Sequence, residues 1–424
     1  MREVAALRCG LDRTAWHGDG AVTCAKLLGI DLVKAPKAND PLPFDLARAH
    51  ALYKALFGQV EDVIAGKRLL VVPSGPLTQL PFQALVTALP SAGTAGPDTM
   101  KAAQWLGTRH AITVLPAVSS LRALRQLAKP SRATRTLVAF ANPLLDGDPA
   151  TFPDDAKLAA AAKAAQKCPP VQITAIAPTL IQYVSAAAKG LPIVGSLFRG
   201  GGADLKSVRA LQPLPDTTEE ACKIARAVGA PETDVWLGAR ATERNLKELS
   251  DSGQLSQYRA LHLATHGLVA GGPGDLQSSL AEPAIVLTPP ADGTPADSLA
   301  IDDGLLTASE VAALKLDADW VILSACNTAA GGAKGAEALS GLARAFFYAG
   351  ARALLVSHWE VYSSAAVELV TKAFDEIKAA PSIGRAEAMR RAMTATIAAG
   401  GFRAHPAYWA PFVVVGEGGR GVSS

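Results

Sequence analysis

Short, continuous apolar runs alternate with helix-like segments along most of the chain. Runs typical of strands lie within residues 67–76, 111–115, 136–140, 261–267, 284–288, 319–323, 353–358 and 409–415. Segments with helical spacing of apolar residues lie at 46–57, 242–249, 336–348, 365–377 and 383–397. A parallel strand that is buried on both faces is a continuous apolar run, and the helices between such strands cover the sheet. The pattern therefore predicts the α/β fold class with a mostly parallel sheet.

Two of the predicted strands end beside residues that can do chemistry. The run 319–323 is soon followed by Cys326, and the run that starts at residue 261 ends on His266. In open α/β sheets, sites form outside the carboxyl ends of the strands. A histidine alone is more often a satisfied polar residue than a catalytic one. A cysteine with a histidine, however, is the minimum set for thiol catalysis, because the imidazole stabilises the thiolate or accepts the thiol proton.

Length and composition limit the classes of function. The 424 residues exceed what one hydrophobic core usually serves, so we expect two domains or two fused halves. A hydrophobic fraction of 49% and a mean hydropathy of +0.20 are typical of a well-buried globular protein. The net charge of +3 is small and no stripe of Lys and Arg is interleaved with aromatic residues, so we expect no nucleic-acid binding by the chain itself.

The cysteines and the amino terminus bear on the compartment. The five cysteines are odd in number and scattered, which favours a reducing compartment over a disulfide framework. The first residues lack the long apolar core of a signal peptide. We therefore expect a cytoplasmic protein.

The alternation of strand-like and helix-like segments is interrupted between residues 146 and 212. Residues 156–167 are alanine-rich and predict a helix, and residues 173–198 are apolar enough to raise the question of a membrane segment. Prolines, a lysine and a glycine interrupt that second stretch, and its longest uninterrupted part, 179–188, is about half of what spans a bilayer. We predict an insertion or linker that is buried or faces a partner, without stable membrane insertion.

Six motifs in the carboxyl-terminal part carry a resemblance to a known family. They are LHLATHG at 261–267, DGLLTASE at 303–310, VILSACNT at 321–328, GLARAFFYAG at 341–350, SHWEV at 357–361 and HPAYWAPF at 405–412. In this order, the series resembles the CHAT domain, a caspase-like module of the clan that also contains caspases and separase. The sequence VPSGPLTQLPF at 72–82 is similar to the companion half that precedes the catalytic half in this family.

The resemblance implies a caspase-like α/β/α sandwich with a mostly parallel sheet and two halves, of which one lacks a His/Cys pair. The predicted boundaries are an amino-terminal segment at 1–44, the inactive companion half at 45–145, the alanine- and glycine-rich insertion or linker at 146–212, the CHAT peptidase domain at 213–418 and a flexible tail at 419–424.

The resemblance also implies an activity, that of a cysteine endopeptidase without a metal or cofactor. Cys326 would be the nucleophile, His266 the general base and acid, and the backbone N–H groups of Gly267 and Cys326 the oxyanion hole. Glycine suits that role because the backbone must come close to the substrate. The partners implied are a protein substrate and a regulatory or sensor protein. The family's settings include programmed cell death and antiviral defence in bacteria, where a signal triggers cleavage of a partner protein.

Five further residues are candidates for substrate binding. Some clan members that cleave after basic residues have an acid two positions before the nucleophile; Ser324 stands there in this chain, so we expect no strict preference for Arg or Lys. Glu337 and Glu360 are candidate pocket acids, although a solvated carboxylate is the more frequent explanation of such residues. Ser357 and Trp359 belong to the neighbouring SHWEV motif.

The chain departs from the family pattern after Trp359. Relatives often have a valine followed by acidic or amide residues, whereas this chain has Val361, Tyr362 and then two serines. If this loop contributes to the specificity pocket, substrate choice differs from that of relatives and activity is partly lost.

Other functions fit the sequence less well. The glycine-rich residues 331–337 lack the Gly-Lys-Ser/Thr ending of a phosphate loop, and no Gly-x-Ser-x-Gly elbow of a serine hydrolase is present. His262 and His266 are four residues apart, which on a strand is about 13 Å and too far for one metal ion. The alternative of another class is a caspase-like scaffold that binds partner proteins without cleaving them. A scaffold would not need both His266 and Cys326.

Overall fold

The computed structural model describes ten ranges of the chain. They are residues 2–37, 40–91, 98–118, 131–170, 198–199, 202–268, 282–291, 293–295, 301–324 and 335–419; within these, side chains are described except at 198–199, 202–203 and 335–340.

Strands are distributed along the whole described chain. In chain order they are β1 (Leu69–Val71), β2 (Val86–Ala88), β3 (Gln104–Trp105), β4 (Ile112–Val114), β5 (Arg135–Ala141), β6 (Phe198–Arg199), β7 (Gly202–Ala203), β8 (Val235–Leu237), β9 (Tyr258–Ala264), β10 (Gly267–Leu268), β11 (Ala284–Val286), β12 (Leu305–Thr307), β13 (Trp320–Leu323), β14 (Ala353–Ser357) and β15 (Phe412–Gly416).

Helices separate most of the longer strands. They are α1 (Arg2–Cys9), α2 (Asp19–Leu28), α3 (Leu46–Phe57), α4 (Glu61–Ile64), α5 (Asp98–Ala102), α6 (Leu106–Arg109), α7 (Asp155–Ala164), α8 (Leu205–Arg209), α9 (Thr217–Ala227), α10 (Glu243–Asp251), α11 (Ala308–Ala313), α12 (Gly335–Ala349), α13 (Ser363–Ala379), α14 (Arg385–Ala398) and α15 (Pro406–Trp409).

The chain divides into two compact units, and residues 131–354 form one of them. Its main strands have the order β13–β9–β5–β8, and every neighbouring pair is parallel. All residues of β13 and all but one of β9 are buried, because these apolar strands are covered on both faces. The small sheet β10–β11–β12 is antiparallel and packs with the core residues Leu145, Val208 and Leu211.

The other unit consists of residues 1–130 and 355–424. Its strands have the order β1–β4–β15–β14, in which β4 pairs in parallel with both β1 and β15. Gln83, which is buried, donates from Nε2 to the carbonyls of Ala410 and Phe412 at 3.0 and 2.8 Å. Both units thus confirm the α/β class with mostly parallel strands.

The last strand starts later than the apolar pattern predicts. We expected a strand over 409–415, but residues Pro406–Trp409 form a short helix and β15 begins at Phe412. The reason is local: His405 caps this helix, since its Nδ1 accepts from the Ala407 N–H at 3.1 Å, and Pro406 occupies the first helical position.

The expectation that the cysteines do not build disulfides is wrong for four of the five. Cys9 is bonded to Cys24, and Cys168 is bonded to Cys222. Both pairs are made by the fold, because the packing of α1 on α2 brings the first two together and α9 carries Cys222 to Cys168. Spacing along the chain alone does not reveal such pairings.

Within the described ranges, no helix is both long and apolar enough to cross a membrane. Residues 171–197, which include most of the apolar stretch noted in the sequence, lie outside these ranges.

Candidate active site

His266 lies just beyond the end of β9, and neighbouring chain fixes this position closely. The Thr265 hydroxyl donates to the carbonyl of Val286 at 2.6 Å, and the N–H of Val286 donates to the carbonyl of His266 at 2.9 Å. Thr265 and His266, the two residues that follow β9, are therefore both hydrogen-bonded to Val286 of β11. His266 itself is only 5% exposed.

The imidazole of His266 has one protein partner in the described structure. Its Nε2 lies 2.7 Å from the backbone carbonyl oxygen of Gln212. Because a carbonyl only accepts, Nε2 must carry the proton, and in the neutral ring Nδ1 is then the basic nitrogen. The contact thus selects the tautomer in which Nδ1 can accept a proton.

Burial also affects the protonation of His266. Removal from water lowers its pKa below the usual histidine value, and the hydrogen bond to Gln212 opposes this in part. The ring is therefore neutral near pH 7, which is the state required of a general base.

Ser324 follows β13, the strand beside β9. The two strands pair in parallel with Leu323 opposite Leu263, and the Ser324 N–H donates to the Leu263 carbonyl at 3.1 Å. His266 is three residues beyond Leu263, and Cys326 is three residues beyond Leu323. Cys326 lies outside the described residues. What the structure establishes is the register of the strands that precede these two residues.

The other predicted site residues of this unit are described in part. Gly267 is buried and begins β10, where it pairs with Ile285 of β11. Glu337 is in the first turn of α12, and its side chain lies outside the described residues. Their roles in an oxyanion hole and a pocket remain predictions.

The structure also contains a buried acid–histidine pair that we did not predict, and its histidine is four residues before His266. Glu220 on α9 and His262 on β9 are 2% and 0% exposed, and Glu220 Oε1 is 3.1 Å from His262 Nε2. The sequence did contain a signal, because a histidine inside an apolar strand requires a buried partner. The Gln212 contact had no such signal, since it uses only a main-chain oxygen.

The residues predicted from the SHWEV motif lie at the end of β14, in the unit of residues 1–130 and 355–424. Ser357 is fully buried, and Trp359 is 2% exposed and donates from Nε1 to the Ala407 carbonyl at 3.2 Å. Glu360 is half-buried. The HPAYWAPF motif thus supports this strand end, since the His358 N–H also donates to the Pro411 carbonyl at 2.9 Å.

His358 differs from the other buried histidines. Its ring is 3% exposed, and neither Nδ1 nor Nε2 has a hydrogen-bond partner among the described residues. Burial, and secondarily the charge of Arg8, lower its pKa to about 3. Arg8 donates from Nη1 and Nη2 to the His358 carbonyl at 3.3 Å each, so the backbone here is bonded while the ring is not.

The departure from the family pattern after Trp359 is a packed feature of the structure. Tyr362 occupies the N-cap position of α13. Its ring lies edge-on to Phe402, with centroids 5.4 Å apart, and stacks on Tyr408 at 6.2 Å. The loop is therefore anchored by aromatic contacts. No group of three or more His, Cys, Asp or Glu residues in the described part of the chain is arranged to hold a metal ion.

Comparison with known proteins is consistent with this architecture. The family model of the CHAT domain matches residues 46–417, nearly the whole chain. Tetratricopeptide repeat protein 28 of Mus musculus is 28% identical over 239 residues, which are 48% of this chain and 9% of that protein. The Homo sapiens protein of the same name is 27% identical over 239 residues, 48% of this chain and 8% of its own length. The chain thus spans less than a tenth of the length of these relatives. By the family match, it belongs to the CHAT domain family, whose fold is caspase-like.

Proposed function

We propose that this member of the CHAT domain family is a caspase-like cysteine endopeptidase, with Cys326 as nucleophile and His266 as general base and acid. The observation that carries the proposal is the Nε2–H hydrogen bond from His266 to the Gln212 carbonyl. This bond leaves Nδ1 as the basic nitrogen. His266 follows β9, which pairs in parallel with β13, and Cys326 follows β13 in the sequence.

In the proposed reaction, His266 Nδ1 takes the proton of the Cys326 thiol, and the sulfur attacks the scissile carbonyl carbon. The N–H groups of Gly267 and Cys326 would stabilise the oxyanion. When the peptide C–N bond breaks, the protonated imidazole gives its proton to the leaving amine. A water molecule, deprotonated by His266, then hydrolyses the thioester and restores the thiol.

The substrate would be a partner protein, and cleavage would be controlled by a regulatory or sensor protein. Ser324, Glu337, Ser357, Trp359 and Glu360 remain proposed substrate-binding residues. The regulated bacterial pathways implied by the resemblance, cell death and antiviral defence, are the proposed setting. The two disulfides remove the cysteine-based argument for a reducing compartment.

The first test compares the protein N-termini in cells that express the chain, Cys326→Ala or His266→Ala. We expect new N-termini with the intact chain, and at least a 100-fold lower rate of their formation with either variant, since a general base alone contributes about 10²–10⁴-fold. Identical N-termini in all three cultures would overturn the proposal and favour the scaffold.

A labelling experiment gives an independent measure. Because Cys9, Cys24, Cys168 and Cys222 are paired in disulfides, iodoacetamide without reductant reports on Cys326. We expect alkylation at pH 7 to be slower in His266→Ala, because the thiolate loses its imidazole partner. Equal rates would contradict a Cys–His dyad.

A further inference from the structure

The buried pair Glu220–His262 is not accounted for by stability alone. Both side chains are almost completely removed from water, and their hydrogen bond is 3.1 Å long. Burying such groups has a desolvation cost, and replacing a buried pair by apolar residues of similar size is often neutral or stabilising. A second role would follow from the two elements that the pair joins, α9 and β9.

The histidine of the pair, His262, is on β9, the strand that ends just before His266. His262 is in the middle of β9 and is paired in register on both sides, with Ile322 of β13 and Ala139 of β5. Its main chain is therefore held between two neighbouring strands. His266 follows four residues later on the same segment.

The acid of the pair, Glu220, is on the helix that follows Gln212, whose carbonyl accepts from His266. Gln212 precedes α9, and Glu220 is in the first turns of that helix. The chain from Gln212 to Glu220 is thus bonded to the β9 segment at both ends, to His266 at 2.7 Å and to His262 at 3.1 Å.

Between these two points, the same segment is bonded elsewhere. The Thr217 hydroxyl accepts from the Asn142 N–H at 2.9 Å and donates to the Leu214 carbonyl at 2.7 Å. The Thr218 hydroxyl donates to the Ala165 carbonyl at 2.7 Å. These contacts join the helix start to the end of β5 and to α7. The Glu220–His262 hydrogen bond, by contrast, joins the helix to β9 itself.

We propose that Glu220 and His262 are positioning residues for the base: their hydrogen bond sets α9 against β9 and so holds the Gln212 carbonyl at His266 Nε2. That His266 is the catalytic base rests on the proposed function, whereas the His266–Gln212 hydrogen bond can be measured in a protein without activity. Without the pair, the Gln212 oxygen is no longer held at 2.7 Å, and the neutral ring of His266 also populates the tautomer with the proton on Nδ1. In that tautomer Nδ1, the nitrogen assigned to the thiol, cannot accept the proton.

The test is nitrogen-15 NMR of the histidine rings in the full chain carrying Cys326→Ala. The decisive variant is the double substitution Glu220→Leu with His262→Phe, which replaces the whole pair by apolar groups. We expect its free energy of unfolding to be unchanged or higher, as for other buried pairs. We nevertheless expect the His266 Nε2–H proton to exchange with water at least tenfold faster, and the Nδ1 resonance to show mixed tautomers.

Two single variants complete the design. Glu220→Gln keeps an oxygen acceptor for His262 and should preserve the His266 signals. Asp234→Ala removes another buried acid of the same unit, one that pairs with Arg135, and should lower stability without changing the His266 signals. Unchanged His266 signals in the double variant would overturn the inference. So would equal changes in Asp234→Ala, because they would reveal a general loosening.

The same variants, with Cys326 restored, separate this inference from the proposed function. If the intact chain cleaves proteins, the double variant should cleave more than tenfold more slowly. The single variant Glu220→Gln should cleave at nearly the rate of the intact chain. If the intact chain cleaves nothing while the NMR changes occur as expected, the peptidase proposal fails and the positioning of His266 stands.

Discussion

Two buried histidines follow strands of this protein, and they differ in what surrounds the ring. At the end of β9, His266 donates from Nε2 to the Gln212 carbonyl, and the buried pair Glu220–His262 is on the same strand and the helix that follows Gln212. At the end of β14, His358 is as deeply buried, but within the described part of the chain neither of its ring nitrogens has a hydrogen-bond partner. Burial lowers the pKa of both. Only at His266 does the structure also determine which nitrogen carries the proton.

The comparison shows that burial and positioning are separate contributions. An unpartnered buried polar group costs about 1–3 kcal/mol, so the ring of His358 destabilises the fold while the backbone around it is firmly bonded. The ring of His266, in contrast, is bonded in a way that leaves its other nitrogen available for chemistry.

The largest expected effect comes from His358→Leu, which removes the unpartnered ring. The folded-state pKa of about 3 is below the ordinary value of 6.5, so the unfolded state binds more protons between these pH values. Stability of the intact chain therefore falls as pH drops from 6.5 to 3, by up to about 1.4 kcal/mol per pH unit from this group. We expect the variant to be more stable by about 1 kcal/mol at pH 7.5 and by about 3 kcal/mol at pH 5, in urea unfolding.

The matched control for this variant is His405→Leu. His405 is also buried, and burial lowers its pKa to about 4, but its Nε2 donates to the Leu42 carbonyl at 2.9 Å and its Nδ1 accepts from Ala407. Its replacement should lower stability at pH 7.5. If both leucine variants gained stability equally, the contrast between partnered and unpartnered rings would be refuted.

A smaller effect is expected from Arg8→Gln, which tests the backbone support of the β14 end. The guanidinium bonds the His358 and Gln79 carbonyls and Asp12, which is itself 3% exposed. Its loss leaves a buried carboxylate without its cation, so we expect a decrease of about 2 kcal/mol in the free energy of unfolding. Arg48→Gln, which breaks the more exposed ion pairs with Glu3 and Asp45, should change stability by less than about 1 kcal/mol. Equal losses would show that the β14 end is not specially supported.

The smallest expected effect comes from Thr265→Val, which tests the support of the β9 end. The substitution keeps the shape of the side chain and removes the donor to the Val286 carbonyl. Thermal or urea unfolding should show a loss of about 1 kcal/mol. Thr371→Val serves as the control, because the Thr371 hydroxyl donates to the Val367 carbonyl within its own helix. A loss no larger than in this control would argue against Thr265 as a support of His266.

Much of the fold followed from local patterns in the sequence. Helical spacing predicted residues 46–57, which are the bounds of α3, and the apolar run before Cys326 predicted β13. Thr307 caps α11, and Glu310 three residues later completes a capping box with it. These features depend on neighbours along the chain, so the sequence contains the information directly.

The features that the sequence did not reveal join distant segments. Gln212 contacts His266 through a main-chain oxygen that every residue has, and Glu220 meets His262 only because α9 packs on β9. The disulfides have the same origin, since each joins cysteines whose spacing suggested nothing. Pattern analysis predicted His266 as the base, but not the groups that give its ring a defined tautomer.

The Cys168–Cys222 bond makes part of this protein a closed covalent ring. The two cysteines are 54 residues apart, and both Gln212 and Glu220 lie between them. A single cut of the backbone anywhere inside the ring therefore opens it without releasing a fragment, and the nicked chain keeps the mass of the intact one, apart from one added water, until it is reduced. Proteolytic processing in this region would go unseen on a non-reducing gel, and the groups around His266 would stay attached to the chain that carries it.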